Sequence, residues 1–358
     1  IMIIYSNRNI ITFIHFMIKI VFERTLKMVK FRFGILGASN IANKFCNAVN
    51  KIDNCEIIAV ASKNEERARQ FAQKNNIIHY YDSYVQMLDI EHPDCVYISV
   101  TVNDHYRLTM LCIERGIPVL CEKAMFQNSR QAKIALQRAK DLDVFAMEAM
   151  WSRFLPAVKK VKEWIKNEKI GTIELVQTTL GFIAPVDFEN RYYSSQLGGG
   201  VARDLTVYAY EILTFLLDQQ IRNMTVSAKW SESGVDITNH ITLSFENTLV
   251  SLMTTFVSKV EEKMILYGRE GKIILPFPHF AEECFLYNRE GILIDHFKDS
   301  KTENGFTYEI REVMHCIQKG SIESPIIPHK DTIACAELFD IIDATIYKSI
   351  IKADLYYR

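Results

Sequence analysis

Residues 31–150 alternate short apolar runs with helical stretches, and this alternation constrains the fold more than any other feature of the chain. The runs typical of strands are FRFGILG (31–37), CEIIAVAS (55–62), HYY (79–81), DCVYISV (94–100), PVLCEK (118–123) and VFAMEA (144–149). Strands regularly separated by helices form βαβ units, which build a parallel sheet covered on both faces. We therefore predict an α/β domain with a doubly wound parallel sheet over residues 28–150.

The rhythm changes after residue 151, where one helix (156–171) precedes a strand-rich region. Strands and Gly-containing hairpins are predicted at 173–183, 224–231, 237–245, 249–257, 265–275 and 285–294. Strands joined by short turns pair antiparallel. The pattern predicts an α+β domain over residues 151–358 with a large, mostly antiparallel sheet, and helices on one of its faces at 205–217 and 330–348.

The composition is that of a globular protein and gives no sign of a nucleic-acid or membrane partner. Hydrophobic residues make up 49% of the 358 residues, charged residues 24%, and the formal net charge is −1. A nucleic-acid-binding face needs a clustered basic excess, which this balance does not provide. The eight cysteines form no CxxC pair and lie mostly in apolar runs, so we expect reduced core thiols and a cytoplasmic location.

Residues 1–27 form an N-terminal extension to which we assign no function. Their apolar stretch, residues 10–22, is interrupted by His15 and Lys19 and falls short of the roughly 20 residues of a membrane-spanning helix. No basic region precedes this stretch and no small-residue cleavage site follows it, so we do not expect a signal peptide. We expect the natural start of the protein at Met28.

The turn after the first strand carries a modified dinucleotide-binding fingerprint. In the segment GILGASNIA (34–42), Ser39 replaces the middle glycine of G-x-G-x-x-G and Ala42 replaces the last. The first glycine permits the tight turn, and small side chains let the backbone and the helix N-terminus approach a pyrophosphate. We therefore predict a Rossmann fold whose cofactor contacts include Gly37, Ser39, Asn40 and Ile41.

The end of the second strand indicates which dinucleotide is bound. A cofactor without a 2′-phosphate usually meets a carboxylate there, but the sequence has Ser62, Lys63 and, one helical turn later, Arg67. A hydroxyl and two cations suit a phosphate, and we expect no carboxylate where it would repel one. This predicts NADP(H), with NAD as the alternative. Lys63 and Arg67 can also be read as ordinary solvated helix charges.

Two more strand ends place polar residues in the predicted cofactor cleft, because ligands of such sheets lie outside the carboxyl ends of the strands. The fourth strand is followed by Thr101, Asn103 and His105, which we predict at the rim of the cleft. The fifth strand ends in Glu122 and Lys123, so both are predicted beside the cofactor and Lys123 near the nicotinamide. A structural salt bridge between these two residues is the alternative.

The second domain supplies a carboxylate and a phenol in the segment LGGGVARDLTVYAYEIL (197–213). Its three glycines precede a helix on which Asp204 and Tyr208 are four residues apart and share a face. Free tyrosine titrates near pH ~10, whereas an ammonium about 4 Å away contributes on the order of 4 kcal/mol at an effective dielectric of about 20. We therefore expect Lys123 to lower the pKa of Tyr208 and make it an acid/base. A surface carboxylate beside a half-buried tyrosine is the alternative.

Other catalytic and metal-binding motifs are missing from the sequence. The nine histidines include no HExxH pair, no Cys/His spacing suits zinc, and there is neither a G-x-S-x-G elbow nor a P-loop. We interpret His240 and His279 as strand-surface or loop residues. The site is therefore expected to need no metal.

Together these segments resemble the Gfo/Idh/MocA oxidoreductase family. The family's E-K-P motif is matched by Glu122-Lys123 with Ala124 in place of proline, and its GGG…D-x-x-x-[HY] helix by residues 198–208 with Thr206 in place of the usual glycine. The resemblance spans about residues 31–347. It narrows to dimeric dihydrodiol dehydrogenases and NADP-dependent D-xylose dehydrogenases through MEAMWSRFLPA (147–157), SGVDIT (233–238) and YEIREVMHCIQKGSIESPIIPHKDT (308–332).

The resemblance implies roles for several residues. Lys123 and Tyr208 would be the catalytic pair, and Asp204 would orient the substrate or Lys123. Trp151 and Arg153 would bind the substrate, with Trp151 stacked on its apolar or sugar-ring face; an ordinary core tryptophan is the alternative. The resemblance further implies a homodimer formed through the open face of the C-terminal sheet.

The sequence therefore predicts an NADP-dependent dehydrogenase that moves hydride between nicotinamide and a carbinol carbon of a sugar or a cyclic trans-diol. Tyr208 would be the acid/base, and Lys123 would set its pKa. A dinucleotide-binding regulatory protein that has kept the fold and lost turnover is the rival hypothesis, and an inositol dehydrogenase is a nearer one. Substrate choice depends on loops such as residues 181–196, which no simple sequence rule interprets.

Overall fold

The computed structural model describes residues 30–346, which form two sheets flanked by helices. The predictions for residues 1–27, for a start at Met28 and for the end of the last helix lie outside the described residues. Among the described residues, no helix combines the length and the apolar character needed to cross a bilayer.

Residues 31–149 build the first sheet. Its strands are β1 (Phe31–Leu36), β2 (Cys55–Ala61), β3 (His79–Tyr81), β4 (Cys95–Ile98), β5 (Val119–Glu122) and β6 (Ala146–Ala149). Its helices are α1 (Asn40–Val49), α2 (Glu65–Asn75), α3 (Tyr84–Glu91), α4 (Val102–Ile113) and α5 (Ser129–Asp141). All strands are parallel, in the order β3-β2-β1-β4-β5-β6, and every residue of β4, β5 and β6 is buried. The predicted doubly wound sheet is confirmed.

Side-chain caps fix the beginnings of four of these helices. Ser39, Asn64, Ser83 and Asn128 each accept a hydrogen bond from the backbone amide three residues further on. These residue types are favoured at N-caps because they satisfy an amide that would otherwise lack a partner. Helix α4 begins after Thr101 without such a bond. The caps set where each chain segment leaves the carboxyl edge of the sheet.

The second sheet has eight strands within residues 173–298. They are β7 (Ile173–Gly181), β8 (Asn223–Trp230), β9 (Asp236–Ser244), β10 (Leu249–Thr255), β11 (Lys263–Gly268), β12 (Gly271–Pro276), β13 (Glu283–Asn288) and β14 (Leu293–Lys298). Their order is β14-β13-β12-β11-β7-β10-β9-β8, and only β7 and β10 pair in parallel among the described strands of this sheet. The predicted mostly antiparallel sheet is confirmed.

Helices cover one face of the second sheet. They are α6 (Pro156–Lys166), α7 (Val207–Leu217) and α9 (His329–Asp343), of which α6 packs on β12–β14, α7 on β7 and α9 on β8 and β9. Helix α9 also packs on α5, and a further helix, α8 (Phe306–Gln318), packs on α1. A π-helical turn, Ala202–Thr206, leads into α7 where the sequence predicted regular helix. These packings bring the π turn and α7 to the carboxyl edge of the first sheet.

Candidate active site

The cleft at the carboxyl edge of the first sheet collects side chains from both parts of the molecule. Gly37 and Lys123 directly follow β1 and β5, and the strand between them, β4, leads to Thr101. Lys123 touches both Asp204 of the π turn and Tyr208 of α7. Residues predicted separately from the two domains therefore meet at one place.

The loop after β1 presents unpaired backbone amides beside a turn of small residues. Gly37 has a positive φ of 112°, and a Cβ on it would lie 2.9 Å from the nearest side-chain carbon, so this turn requires glycine. Ser39 caps α1 through its hydroxyl, and the amides of Asn40 and Ile41 have no hydrogen-bond partner among residues 30–346. A helix N-terminus of this kind holds a dinucleotide pyrophosphate. The residues present fit that group.

Of the two cations predicted at the end of β2, Lys63 forms an ion pair with a carboxylate and Arg67 bonds a backbone carbonyl. Lys63 Nζ pairs with Asp104 Oδ2 at 2.6 Å, and Arg107 Nε lies 3.3 Å from Asp104 Oδ1. Arg67 Nε donates to the Ala38 carbonyl of the loop after β1 at 3.1 Å. The expectation that no carboxylate stands here is wrong, because α4 carries Asp104 across from the neighbouring strand. Two cations, Lys63 and Arg107, contact this one carboxylate, while Arg67 is bonded to a backbone carbonyl and keeps its charge unpaired by Asp104.

Three of the predicted cofactor contacts are buried side chains. Ser62, His105 and Glu122 are 7%, 1% and 7% exposed, and their contacts with the cofactor remain predictions. The ring nitrogens of His105 lie 2.8 Å from the Ala124 carbonyl oxygen and 3.0 Å from that of Val100. His105 therefore links the backbone after Lys123 to the backbone after β4 through its ring nitrogens.

The other rim residues behave differently. Thr101 and Asn103 are partly exposed, and the Thr101 hydroxyl donates to the Asn103 side-chain oxygen at 2.7 Å. Glu122 accepts a hydrogen bond from the Tyr97 hydroxyl, and burial raises the pKa of Glu122. The alternative salt bridge between Glu122 and Lys123 does not form, because the ammonium pairs with Asp204 instead.

Lys123 is tied to the π turn by Asp204. Its ammonium lies 2.8 Å from the Asp204 carbonyl oxygen and 3.1 Å from Oδ1, and Arg191 Nη1 lies 2.9 Å from the same Oδ1. Burial acts to raise the pKa of Asp204, but the two cations outweigh it and hold that pKa below its usual value. The peptide bond between Lys123 and Ala124 is cis. Thr206 faces the sheet, where its hydroxyl lies 2.7 Å from that of Thr254.

Tyr208 lies between Lys123 and Trp151. The ammonium lies 4.6 Å from the centre of the Tyr208 ring, and Trp151 Nε1 donates to the Tyr208 hydroxyl at 3.3 Å. Burial raises the pKa of Tyr208 and the Glu122 carboxylate raises it further, while the hydrogen bond from Trp151 lowers it. The expectation of a lowered pKa is therefore wrong for this arrangement, because Lys123 faces the ring and not the hydroxyl.

Trp151 belongs to an aromatic cluster and also to the site. Its ring centre lies 5.3 Å from that of Phe306, with which it stacks, and 5.3 Å from that of Phe280. Only 8% of Trp151 is exposed, whereas 48% of Phe280 is exposed. Phe280 therefore offers more exposed apolar surface than Trp151.

Arg153 is the centre of a buried ion-pair network. Its side chain is fully buried and contacts the carboxylates of Glu211 and Asp331, the latter at 2.6 Å. It also donates to the carbonyl oxygens of Glu211 and Ile326. The prediction that Arg153 binds substrate is wrong, because these contacts leave it no exposed surface.

Arg191 and His279 are site residues that sequence reasoning missed. Arg191 lies in the long loop between β7 and the π turn, where no periodicity identifies inward-facing side chains. His279, interpreted above as a strand-surface or loop residue, lies in the turn Pro278–Phe280 between β12 and β13. It is 6% exposed, and its ring centre lies 5.4 Å from that of Tyr208. A run of aromatic residues in a turn was the one available signal.

Two family models match the chain. Residues 31–150 match the model described as an oxidoreductase family with an NAD-binding Rossmann fold, and residues 158–274 match the GFO/IDH/MocA C-terminal domain. The two matches together cover more than half of the chain.

Individual relatives agree with these matches. Trans-1,2-dihydrobenzene-1,2-diol dehydrogenase from Xenopus laevis is 27% identical over 318 residues, which are 86% of this chain and 96% of the relative. Levoglucosan dehydrogenase, solved with NADH and levoglucosan, has a TM-score of 0.80 at 16% identity over 89% of this chain and 97% of its own. A 3-ketoreductase from Actinomadura kijaniata, solved with NADP and TDP-benzene, has a TM-score of 0.78 at 19% identity over 88% and 97%. These solved structures share the fold.

Proposed function

The chain belongs to the Gfo/Idh/MocA family of oxidoreductases, and we propose that it transfers a hydride between a nicotinamide dinucleotide and a carbinol carbon of a sugar or a cyclic trans-diol. One observation carries the proposal: Lys123 contacts both Asp204 and Tyr208 at the carboxyl edge of the parallel sheet, where such folds bind their ligands. The names of the Xenopus relative and of levoglucosan dehydrogenase support the substrate class. When bound, the nicotinamide supplies or accepts the hydride.

NADP(H) is the cofactor that we favour over NAD(H). The amides of Asn40 and Ile41 would hold the pyrophosphate, and Lys63 and Arg67 would take the 2′-phosphate, which would compete with Asp104 for Lys63. The double variant Lys63→Ala/Arg67→Ala should weaken NADPH binding by about 10-fold or more and leave NADH binding nearly unchanged, because charge-assisted hydrogen bonds to the phosphate are lost. Titration of cofactor fluorescence measures both affinities; equal losses would contradict the preference.

Tyr208 is the proposed acid/base. As a phenol it donates its proton to the oxygen of a carbonyl under reduction, and as a phenolate it accepts the proton of a hydroxyl under oxidation. The Trp151 N–H would stabilise the phenolate, since it already donates to that oxygen. Two of the three Lys123 N–H groups bond Asp204, which leaves the third to hold the substrate oxygen.

Architecture and location complete the proposal. Residues 28–150 would bind the cofactor, and residues 151–358 would bind the substrate and form a homodimer through the uncovered face of the second sheet. A cytoplasmic location is supported by the eight cysteines, all of which lie in the described part of the chain and are unpaired and buried.

Turnover assays test this function. Purified protein is mixed with NADP⁺ or NAD⁺ and a panel of aldoses, inositols and trans-dihydrodiols, and reduced-cofactor absorbance is followed. We expect turnover with NADP⁺ that falls by about 10²-fold or more in Tyr208→Phe, the range expected for a general acid/base. Turnover that survives in Tyr208→Phe would contradict the role of Tyr208 alone. Tight NADPH binding without turnover on any compound would favour a regulatory protein.

A further inference from the structure

His279 is held rigidly against the reacting phenol. The turn Pro278–Phe280 follows Phe277, whose φ is +44°, and the Ser152 hydroxyl donates to the His279 carbonyl oxygen at 2.9 Å. The imidazole packs on the Phe280 ring at a centre distance of 4.3 Å and on the Tyr208 ring at 5.4 Å. The backbone contacts and the two aromatic neighbours together fix where this imidazole lies.

The imidazole is a buried polar group without a protein partner. Neither ring nitrogen has a hydrogen bond to any residue in 30–346, although the residue is only 6% exposed and Nδ1 is shielded from solvent. Its polar neighbours bond other residues and not the imidazole: Lys123 donates to Asp204, and Tyr208 accepts from Trp151. A buried polar group left unpaired costs free energy, so the unpaired imidazole beside the proposed reacting residues points to a ligand as the missing partner. Because Nδ1 is shielded from solvent, Nε2 is the nitrogen that this ligand would reach.

The charge state of the ring fits a hydroxyl ligand. Burial and, to a smaller extent, the Lys123 ammonium lower the pKa of His279 to about 4, against the opposing effect of Asp204. A neutral imidazole has one N–H donor and one nitrogen acceptor. A substrate hydroxyl is likewise both donor and acceptor, so either tautomer of the ring can bind it.

We propose that His279 hydrogen-bonds a second substrate hydroxyl, on the carbon next to the reacting carbinol, and so selects vicinal diols and polyols over simple alcohols. This inference rests on the proposed function, since it takes Tyr208 as the group that meets the reacting oxygen. A diol whose reacting oxygen meets the Tyr208 hydroxyl would extend its second oxygen toward the imidazole, since the two ring centres lie only 5.4 Å apart. His279 is thus assigned as a specificity-determining residue.

The test compares a vicinal diol with a matched mono-alcohol, trans-cyclohexane-1,2-diol and cyclohexanol, in wild type and His279→Phe. Phenylalanine keeps an aromatic ring in place but has no nitrogen. We expect kcat/KM for the diol to fall about 10- to 100-fold, mainly through KM, while the value for cyclohexanol stays within about twofold. His279→Asn, which restores a donor and an acceptor, should recover part of the loss. The control His315→Phe, on the exposed side of α8, should change neither value.

Diol binding gives a readout that does not depend on turnover. Calorimetric titration of the diol into the NADPH-bound protein should show a Kd about 10-fold or more higher in His279→Phe than in wild type. Equal losses on both alcohols, or unchanged values on both, would overturn the role of His279 and leave the dehydrogenase standing. If His279→Phe does not fold, His279→Asn must show the same selective, smaller loss or the inference is wrong. A wild type inactive on every alcohol that nevertheless binds NADPH would instead overturn the proposed function.

Discussion

Tyr208 is a protonated phenol in a buried site, since burial and the neighbouring Glu122 raise its pKa above the usual value. Carbonyl reduction needs the phenol and alcohol oxidation needs the phenolate, so pH should affect the two directions differently. We expect kcat/KM for oxidation to rise about tenfold per pH unit between about pH 7 and 9, because the phenolate fraction does so below the pKa. The value for reduction should stay flat. Initial rates in both directions measure this, and an oxidation profile that levels off near neutral pH would contradict it.

The hydrogen bond from the Trp151 indole N–H lowers the pKa of Tyr208. The other main influences on this pKa within the described structure all raise it. Trp151→Phe removes this donor but keeps a ring that can pack on Phe306. We expect oxidation at pH ~8 to slow by about 10- to 100-fold, the effect of a lost hydrogen bond to a charged group, with reduction little changed. Phe306→Leu is the control, because it alters the packing and leaves the N–H; a pH profile shifted equally in both variants would refute the role of the N–H.

Arg153 should matter for stability and not for substrate affinity. Removing one partner of a buried ion pair typically costs about 3–5 kcal/mol, because the remaining charges stay buried without compensation. Arg153→Met leaves the fully buried Glu211 in that position and should lower the free energy of unfolding by this amount. Urea denaturation measures the loss, and the exposed Arg289→Met should change it by less than about 0.5 kcal/mol. If Arg153→Met leaves the unfolding midpoint unaltered and raises KM, the result would contradict the structural role and support substrate binding by Arg153.

Among the elements, the π turn that carries Asp204 is anchored by a buried carboxylate of β9. Asp236 Oδ2 accepts from the Ala202 amide at 2.7 Å and from Asn239 Nδ2 at 2.6 Å, whereas Oδ1 has no partner among the described residues. Burial raises the pKa of Asp236 to about 6 from 3.8, against the opposing effect of Arg203. Burial therefore favours the neutral carboxyl in the folded protein, although the two hydrogen bonds that it accepts favour the carboxylate.

The raised pKa of Asp236 makes a prediction for stability. A group with a higher pKa in the folded state contributes stability that is complete below its unfolded pKa, here 3.8, and is lost as pH rises through about 6. The wild type should therefore lose about 3 kcal/mol relative to Asp236→Asn between pH ~4 and ~7. Asparagine keeps an acceptor for the Ala202 amide and does not titrate. Urea unfolding of both proteins across this range measures the difference, and a difference independent of pH would contradict the assignment.

The elements that could be predicted are those whose hydrophobic pattern lies within one short segment of the sequence. Strands of the first sheet follow from continuous apolar runs, and the site positions of Gly37, Lys123 and Tyr208 follow from strand ends and a known motif. The π turn could not be predicted, because its geometry depends on hydrogen bonds to β9 made far along the chain. Helix α8 was also not predicted, although its residues were noted for their resemblance.

The burial of individual polar side chains also could not be predicted from the sequence. His105 and Arg153 are polar residues near the predicted cleft, and only the packing of other elements decides that both lie beneath its surface. The reverse holds for His279, which a turn between β12 and β13 carries into the site. Each of these outcomes depends on contacts between segments distant in sequence, which no local pattern records.

For the whole molecule, the two sheets differ in how they are covered. Strands β4–β6 are buried on both faces, whereas within residues 30–346 the helices lie on one face of the eight-stranded sheet. Its other face exposes apolar side chains in the central strands, including Leu175 at 37% and Met253 at 44%. These are the apolar side chains that the proposed dimer interface would cover. Because α7 and Tyr208 lie on the helix-covered face, association through the open face would leave the cleft accessible.

The last prediction concerns this open face. Met253 of β10 lies between Thr179 of β7 and His240 of β9, so an arginine there would place a charge in the middle of a sheet-to-sheet dimer interface. We expect light scattering to give twice the chain mass for wild type and the single-chain mass for Met253→Arg. The control is Ile90→Arg, which changes an exposed apolar residue of α3 and should stay dimeric. A monomeric wild type or a dimeric Met253→Arg would refute the interface. The monomeric variant should keep its turnover, because both partners of the Lys123–Asp204 pair and the Tyr208 phenol come from one chain on the far side of the sheet.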